Sequence, residues 1–311
     1  MTGPSADAAP GLGGGFACAA ATDAGRVRSV NQDYAWTGRL EVAGSRRAAA
    51  LVADGMGGGV RGEEASRVAA EAAVAALARG PAAEPQSALV EAVGAAHDAV
   101  LAEHARLEIG DAPFATTLVV ALVDEPTAIA WLANVGDSRG YLLGPHGIAR
   151  LTRDHSIVAE RLAAGRITER EAREASDRSV ITRAVGARER LQIDLFGPAV
   201  LQAGETLLLC SDGVHGMLDD TGIARIAATT PSESLPDALV AAANEAGGLD
   251  NISVALVARL PAPEPAGTTR WRLRLRGGSP RVRWPMQAAT HAPAGTRPRP
   301  DSHDDSEEPP R

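Results

Sequence analysis

The sequence predicts an α+β fold in which strands follow one another as hairpins and helices are grouped in pairs. Two apolar runs, 116–123 and 127–134, are joined through Asp124-Glu125-Pro126, a strong turn signal. Two alanine-rich helical segments, about 63–78 and 87–107, separate the early strands from the middle ones. Adjacent hairpin strands with paired helices favour α+β over a doubly wound parallel sheet.

The remaining elements are predicted from short apolar runs and from helical periodicity. In chain order, the strands are expected at 48–53, 116–123, 127–134, 140–143, 191–196, 206–210 and 252–260. The helix at 63–78 is followed by Gly80-Pro81, a typical helix stop. Two shorter helices, about 221–228 and 235–245, come before the last strand.

Composition divides the 311 residues into three parts. Residues 1–14 are small and rich in glycine and proline, and we expect them to be disordered. Residues 261–311 contain ten of the twenty prolines and end in an acidic stretch. We expect this tail to be mostly disordered, because it lacks the apolar residues that offset the entropy of ordering. The segment 15–260 has the size of one domain.

The absence of lysine excludes several kinds of chemistry. All 31 basic residues are arginine, so a Walker-A loop, a protein kinase of the usual kind and a lysine Schiff base are excluded. Two cysteines cannot form a disulfide framework or a cysteine-ligated zinc site. No apolar run reaches the roughly 18–20 residues of a membrane span. The first basic residue is Arg26, so we expect no secretory signal and predict a cytoplasmic protein.

The net charge of −8 is unevenly distributed, with −11 in residues 1–260 and +3 in residues 261–311. An acidic domain is poorly suited to specific nucleic-acid binding but could hold hard cations. The tail contains a basic stretch at 270–284, in which arginine alternates with apolar residues. This stretch could contact a membrane surface, a nucleic acid, a protein partner or the acidic domain, or it could be a solvated disordered segment.

Five aspartates lie where predicted strands or turns end, each beside glycine or asparagine. They are Asp33, Asp54, Asp137, Asp212 and Asp250. Any one of them alone is typical of a turn. Carboxylates gathered at the ends of buried strands would repel one another unless a cation neutralised them. Oxygen ligands suit Mg²⁺ or Mn²⁺, and Gly55 would let a backbone carbonyl approach such an ion. Two ions sharing one carboxylate would clamp a phosphate and activate a water.

Eight motifs occur in a fixed order along the chain. They are RSVNQD at 28–33, VADGMGG at 52–58, ATTL at 115–118, NVGDSR at 134–139, LTRDHS at 151–156, ITRAVG at 181–186, LCSDGV at 209–214 and DNIS at 250–253. This series resembles that of the metal-dependent protein phosphatases of type 2C (the PPM family), especially the compact bacterial members, over about residues 16–260. The resemblance implies an αββα sandwich of two antiparallel sheets flanked by helix pairs.

The resemblance also implies a role for each candidate residue. Asp54 would bridge two Mn²⁺ or Mg²⁺ ions, Asp212 and Asp250 would complete the shell of the first, and the Gly55 carbonyl would join the second. Asp33 would act near the second ion, and Asp137 would hold a possible third ion. Arg28 would bind the substrate phosphate through its planar fork of donors. Residues 156–179, with a short helix at 157–164, would form a mobile flap over the site; an ordinary surface helix and loop remains the alternative.

The implied function is hydrolysis of phosphoserine and phosphothreonine on proteins. A hydroxide bridging the two ions would attack phosphorus, and the enzyme would act as a monomer that reverses a bacterial serine/threonine kinase. Two alternatives stay open. One is a pseudophosphatase or phosphoprotein-binding scaffold in a kinase pathway, and the other is a carboxylate-dependent nuclease, which the acidic domain disfavours.

The chain departs from the family pattern at a few positions. Met56 stands where many relatives have a histidine that could protonate the leaving group, so we assign that role to a metal-bound water. Gln32 replaces a frequent glutamate. His155 and His215 are interpreted as structural, and Cys18 and Cys210 as core residues.

Overall fold

The structure is a computed structural model that describes residues 15–42, 44–56, 61–79, 84–187 and 190–261. Within these ranges there are eleven strands and seven helices. The strands are β1 Phe16–Asp23, β2 Asp33–Val42, β3 Ser45–Met56, β4 Ala115–Thr116, β5 Leu118–Asp124, β6 Ile129–Val135, β7 Arg139–Gly144, β8 Gly147–Arg150, β9 Asp194–Val200, β10 Thr206–Cys210 and β11 Ile252–Arg259. The helices are α1 Gly62–Arg79, α2 Pro85–Leu107, α3 Ile157–Ala163, α4 Glu169–Glu174, α5 Asp212–His215, α6 Asp220–Ala227 and α7 Leu235–Glu245.

The strands form two antiparallel sheets. One has the order β1-β11-β10-β7-β8, and the other has the order β2-β3-β5-β6-β9 with β4 paired to β3. Alternate residues of the central strands face opposite layers, as the two-residue period of a strand requires. Leu207 and Leu209 of β10 pack between the sheets, whereas Leu208 packs under the C-terminal helices.

Helix pairs cover the two outer faces of the sheets. Helices α1 and α2 pack on the sheet that contains β3, where buried alanines such as Ala69 and Ala73 let α1 approach the strands closely. Helices α6 and α7 cover the other sheet through Ile223 and Leu239. The protein is therefore an αββα sandwich, as the sequence predicted.

The segment predicted as a flap contains two short helices, and its two ends contact each other. Helix α3 begins after Ser156, whose hydroxyl accepts from the Ala159 N–H at 3.3 Å, and α4 begins after Thr168 with a reciprocal capping box. The Ile157 N–H donates to the Val180 carbonyl at 3.0 Å, and Ser156 pairs with Ile181 as an isolated bridge. The two ends of the segment are thus joined to each other. The helix ends one residue before the predicted limit of 164.

The predicted helix at 235–245 and strand at 206–210 are confirmed residue for residue. The strand predicted at 116–123 is confirmed over 118–123, but it is not continuous, because Thr117 interrupts it and turns its polar groups toward Asp54. The strand predicted at 191–196 is present, but its bounds are shifted toward the C-terminus, since β9 runs from Asp194 to Val200. Strand β9 includes Pro198, which is tolerated because β9 is an edge strand, where a residue without an N–H breaks no ladder.

Strand β2 was not predicted, because Thr37, Gly38 and Arg39 break any apolar run within it. Helices α4 and α5 were also missed, since each spans fewer than two turns. The expectations for residues 1–14, for Gly80-Pro81 and for the basic stretch 270–284 fall outside the described residues. No helix in the described ranges is long and apolar enough to cross a membrane.

Candidate active site

The candidate site is a cavity of about 220 Å³ at one end of the sandwich. Strand β3 ends there, β2 begins there, and the β10–α5 and α7–β11 connections meet them from the other sheet. The cavity is lined by Asp54, Asp137, Asp212 and Asp250. Among the described residues that line it, Arg28 is the one basic side chain, so most of the charge of this lining is negative.

Asp33 and Asp54 are direct partners in the register of β2 and β3, which places both carboxylates at the same sheet end. Asp33 is buried, and neither of its carboxylate oxygens has a hydrogen-bond partner among the described residues. Burial raises the pKa of Asp33 to about 7, and the negative charges of Asp212 and Asp250 add to this. Burial, reinforced by the charge of Asp33, raises the pKa of Asp54 well above its usual range.

The backbone around Asp54 is held by the threonine pair that interrupts the sheet. The Asp54 N–H donates to Thr117 Oγ1 at 3.0 Å, and the Asp54 carbonyl accepts from the Thr117 N–H and the Thr116 hydroxyl, both at 2.9 Å. Gly55 follows in a space without room for a side chain, since a Cβ there would lie 2.0 Å from the Gly62 carbonyl oxygen. The local fold therefore requires glycine after the aspartate.

Asp137 lies in the turn between β6 and β7. The Gly136 N–H donates to His155 Nδ1 at 3.0 Å, and the Ser138 hydroxyl lies 2.7 Å from Thr117 Oγ1. Thr117 therefore connects the Asp54 strand to the Asp137 turn. Burial, followed by the charge of Asp212, raises the pKa of Asp137 to about 7. His215 Nε2 lies 3.1 Å from the Asp137 carbonyl oxygen, and burial lowers the pKa of this histidine to about 3.

Asp212 and Asp250 come from neighbouring strands of the other sheet. Asp212 opens the short helix α5, its Oδ1 is buried without a partner in the described residues, and burial together with the Asp250 charge raises its pKa. Asp250 immediately precedes Asn251, whose side-chain amide donates to the carbonyls of Ala24 at 3.0 Å and Val30 at 2.9 Å. Asn251 thereby holds the loop that carries Arg28.

Arg28 contacts one of the acids directly. Its Nη2 donates to Asp250 Oδ2 at 2.7 Å, and both side chains are partly exposed to solvent. As they stand, no three His, Cys, Asp or Glu side chains of the described residues are arranged to hold a metal ion. Asp250 would have to exchange Arg28 for a cation to join such a group.

The donor chemistry nevertheless fits hard divalent cations. The site offers carboxylate oxygens, of which both from Asp33 and one from Asp212 are buried without a hydrogen bond in the described part of the chain. Burial and crowding raise the pKa values of four carboxyls, because the ionised carboxylates lose solvation and repel one another. A bound cation would offset this unfavourable free energy. An all-oxygen set of this kind suits Mg²⁺ or Mn²⁺.

The structure thus gathers all seven predicted site residues at one end of the sandwich: Arg28, Asp33, Asp54, Gly55, Asp137, Asp212 and Asp250. No role was predicted for Thr117 or Asn251, although they lie in the motifs at 115–118 and 250–253. A pair of threonines opening an apolar strand was the available signal for Thr117. Cys210 is fully buried in the core beneath the C-terminal helices, so its interpretation as a core residue is confirmed. His155 is buried, and its Nδ1 accepts from the Gly136 N–H.

Comparison with known proteins identifies relatives over most of the chain. Residues 23–244 match the family model described as Protein phosphatase 2C. The serine/threonine phosphatase stp of Listeria monocytogenes is 35% identical over 245 residues, covering 76% of this chain and 94% of that protein. The Streptococcus agalactiae serine/threonine phosphatase structure has a TM-score of 0.69 at 30% identity and covers 78% of this chain and 99% of that one. The catalytic domain of the phosphatase PstP in complex with two manganese ions has a TM-score of 0.67 at 30% identity, with coverage of 79% and 99%.

Proposed function

Because the chain belongs to the protein phosphatase 2C family, as a bacterial PPM-type serine/threonine phosphatase, we propose that the enzyme hydrolyses phosphoserine and phosphothreonine on proteins and that its aspartate cluster would hold two divalent cations for this reaction. The observation that carries this proposal is the crowding of buried carboxylates with raised pKa values around one arginine in a single cavity. Such a cluster costs stability without a cation, and a purely structural role would not require it.

We assign the first ion to Asp54, Asp212 and Asp250, and the second to Asp54, Asp33 and the Gly55 carbonyl. Asp137 would serve a possible third ion. This assignment is supported by the register of Asp33 with Asp54 and by the unpartnered oxygens of Asp33 and Asp212. Manganese bound to the relative PstP supports a divalent metal, and we propose Mn²⁺ or Mg²⁺ here.

When bound, the ions would supply the hydroxide that attacks phosphorus and would stabilise the negative charge on the phosphoryl oxygens. Arg28 would release Asp250 and bind two of those oxygens through its guanidinium fork. Met56 lines the cavity and has no proton to give. We therefore propose that a water protonates the leaving oxygen.

The substrates are phosphoproteins, and we propose that the enzyme acts as a monomer that reverses a serine/threonine kinase. We further propose that residues 15–260 form the phosphatase domain and that residues 156–179 act as a flap at its mouth. This is supported by the position of Ser179 and Ile181 in the cavity wall, directly after helices α3 and α4.

Phosphate release from phosphothreonine and phosphoserine peptides, measured with the full chain, tests the proposal. Turnover is expected with Mn²⁺ or Mg²⁺ and should be lost when a chelator removes the ion. Equal rates with and without chelator would contradict the assigned chemistry, even if the chain still bound phosphopeptides.

A further inference from the structure

Large apolar side chains are exposed at six positions of the described residues: Val27, Val30, Leu162, Val180, Val200 and Leu249. Three of these, Val27, Val30 and Leu249, lie on the two loops that carry Arg28 and Asp250. Their exposed fractions are 65%, 49% and 52%. We name these three residues the apolar rim.

The two loops of the apolar rim are joined by backbone contacts. The Arg26 N–H donates to the Gly248 carbonyl at 2.7 Å, and the Asn251 amide bridges to Val30. Gly25 packs so closely that a Cβ would lie 2.2 Å from the Asp250 carbonyl oxygen. The backbone of the two loops is therefore held by these contacts, although the side chains of the apolar rim are exposed to solvent.

Exposure of a single valine or leucine needs no explanation, because apolar atoms cover much of any protein surface. Three such side chains on two joined loops that carry a proposed phosphate ligand are different, since apolar exposure concentrated in one region marks interaction sites. A phosphoryl group held by Arg28 would bring the neighbouring substrate residues over the two loops that carry the rim, because Val27 and Val30 flank Arg28 in the chain and Leu249 precedes its partner Asp250.

We propose that the apolar rim binds an apolar side chain next to the phosphoserine or phosphothreonine, so that the enzyme prefers phosphosites flanked by residues such as leucine. This inference rests on the proposed function. A second copy of the chain is a poorer occupant, because three side chains fall far below the roughly 1,200–2,000 Å² of a stable interface.

Two phosphothreonine peptides test the inference, one with leucine and one with serine on both sides of the phosphothreonine. With Mn²⁺ present, the wild-type chain should show a kcat/KM about tenfold higher for the leucine peptide, as expected for one apolar contact. Val27→Ser and Leu249→Ser should bring this ratio close to one. The ratio between peptides cancels any general effect on the catalytic residues, and both positions are exposed, so folding is not at risk.

Val200→Ser is the matched control. The exposed fraction of Val200, 47%, is similar to the 49% of Val30. Val200 pairs with Ile129, however, at the end of β6 that lies opposite the cavity. Its substitution should leave the peptide ratio unchanged. Equal rates on both peptides in the wild type, or an unchanged ratio in both rim variants, would overturn the inference while leaving the proposed function intact.

Other outcomes separate the two proposals further. If the chain hydrolysed neither peptide in the presence of Mn²⁺, the proposed function would be contradicted, and the inference would fail with it. Sedimentation of a wild-type dimer that Val27→Ser dissociates would also overturn the inference, because the rim would then bind a second chain.

Discussion

The guanidinium of Arg28 donates to Oδ2 of Asp250 across 2.7 Å, so a proposed phosphate ligand and a proposed metal ligand neutralise each other. Arg28 would have to release Asp250 to bind a phosphoryl group, and Asp250 would have to release Arg28 to bind a cation. A cation at Asp250 would therefore free Arg28 for the phosphoryl group. We therefore expect metal binding to precede substrate binding, because the cation would remove the carboxylate that competes with phosphate for Arg28.

Arg28→Ala should raise the KM for phosphothreonine peptides by about tenfold or more, since a charge-assisted contact to phosphate is lost. Mn²⁺ affinity should stay equal or increase, because Asp250 loses its competing cation. Steady-state kinetics and metal titration of the same preparation measure both quantities. A marked loss of Mn²⁺ affinity instead would mean that Arg28 organises the metal site.

Mn²⁺ should stabilise the folded chain, because a ligand that binds only the native state raises the free energy of unfolding by about 2.7 kcal/mol at 100 times its Kd. Thermal unfolding with and without Mn²⁺ measures this. Asp212→Asn should remove most of the stabilisation. Asp98→Asn, a change at an exposed aspartate of α2, is the control and should retain it. A Tm that Mn²⁺ leaves unmoved in the wild type would contradict the proposed site.

Thr117→Val should weaken Mn²⁺ binding and lower kcat, because the Asp54 N–H loses its acceptor and the link to Ser138 is broken. The expected stability cost is about 2 kcal/mol. Thr117→Ser keeps the hydroxyl and should restore Mn²⁺ affinity. If Thr117→Ser were as impaired as Thr117→Val, the methyl group and not the hydroxyl would be the important part.

Gly55→Ala should destabilise the fold by about 3 kcal/mol, since its Cβ would meet the backbone oxygen of Gly62 at 2.0 Å. Gly94→Ala is the matched control. Gly94 lies within α2 with nothing near its Cβ position, so this change should stabilise the protein by about 0.5–1 kcal/mol. Denaturant unfolding measures both, and equal effects would mean that the close approach at Gly55 is relieved at little cost.

The stability contributed by Asp194 should depend on acid pH. A hydrogen bond from His155, aided by Arg183 at 2.8 Å, lowers the pKa of Asp194 from 3.8 to about 2. A depressed pKa means that the ionised carboxylate stabilises the fold above pH 4 and that this stabilisation is lost as the pH falls toward 2. The difference in unfolding free energy between wild type and Asp194→Asn should therefore shrink from pH 6 to pH 2. A difference that grows over this range would contradict the assigned partners.

Most of the fold was predictable because its core strands and helices have clean periodicity, as the agreement at 206–210 and 235–245 illustrates. Strand β2 was not, because its residues are half-polar and its position depends on pairing with β3. The aspartates could be found from their motifs. The pairing of Arg28 with Asp250 could not, because the two residues are 222 positions apart and their contact depends on how two loops pack.

The central claim is that the buried aspartate cluster carries the metal-dependent chemistry, with Asp54 shared between two ions. The most direct measurement is phosphate release from a phosphothreonine peptide by wild type and Asp54→Asn, both with saturating Mn²⁺, and with circular dichroism to verify folding. We expect a folded Asp54→Asn chain whose kcat is lower by about a thousandfold or more, since the loss of metal-derived charge stabilisation is worth several kcal/mol. A folded Asp54→Asn chain that turns over at the wild-type rate would contradict the account.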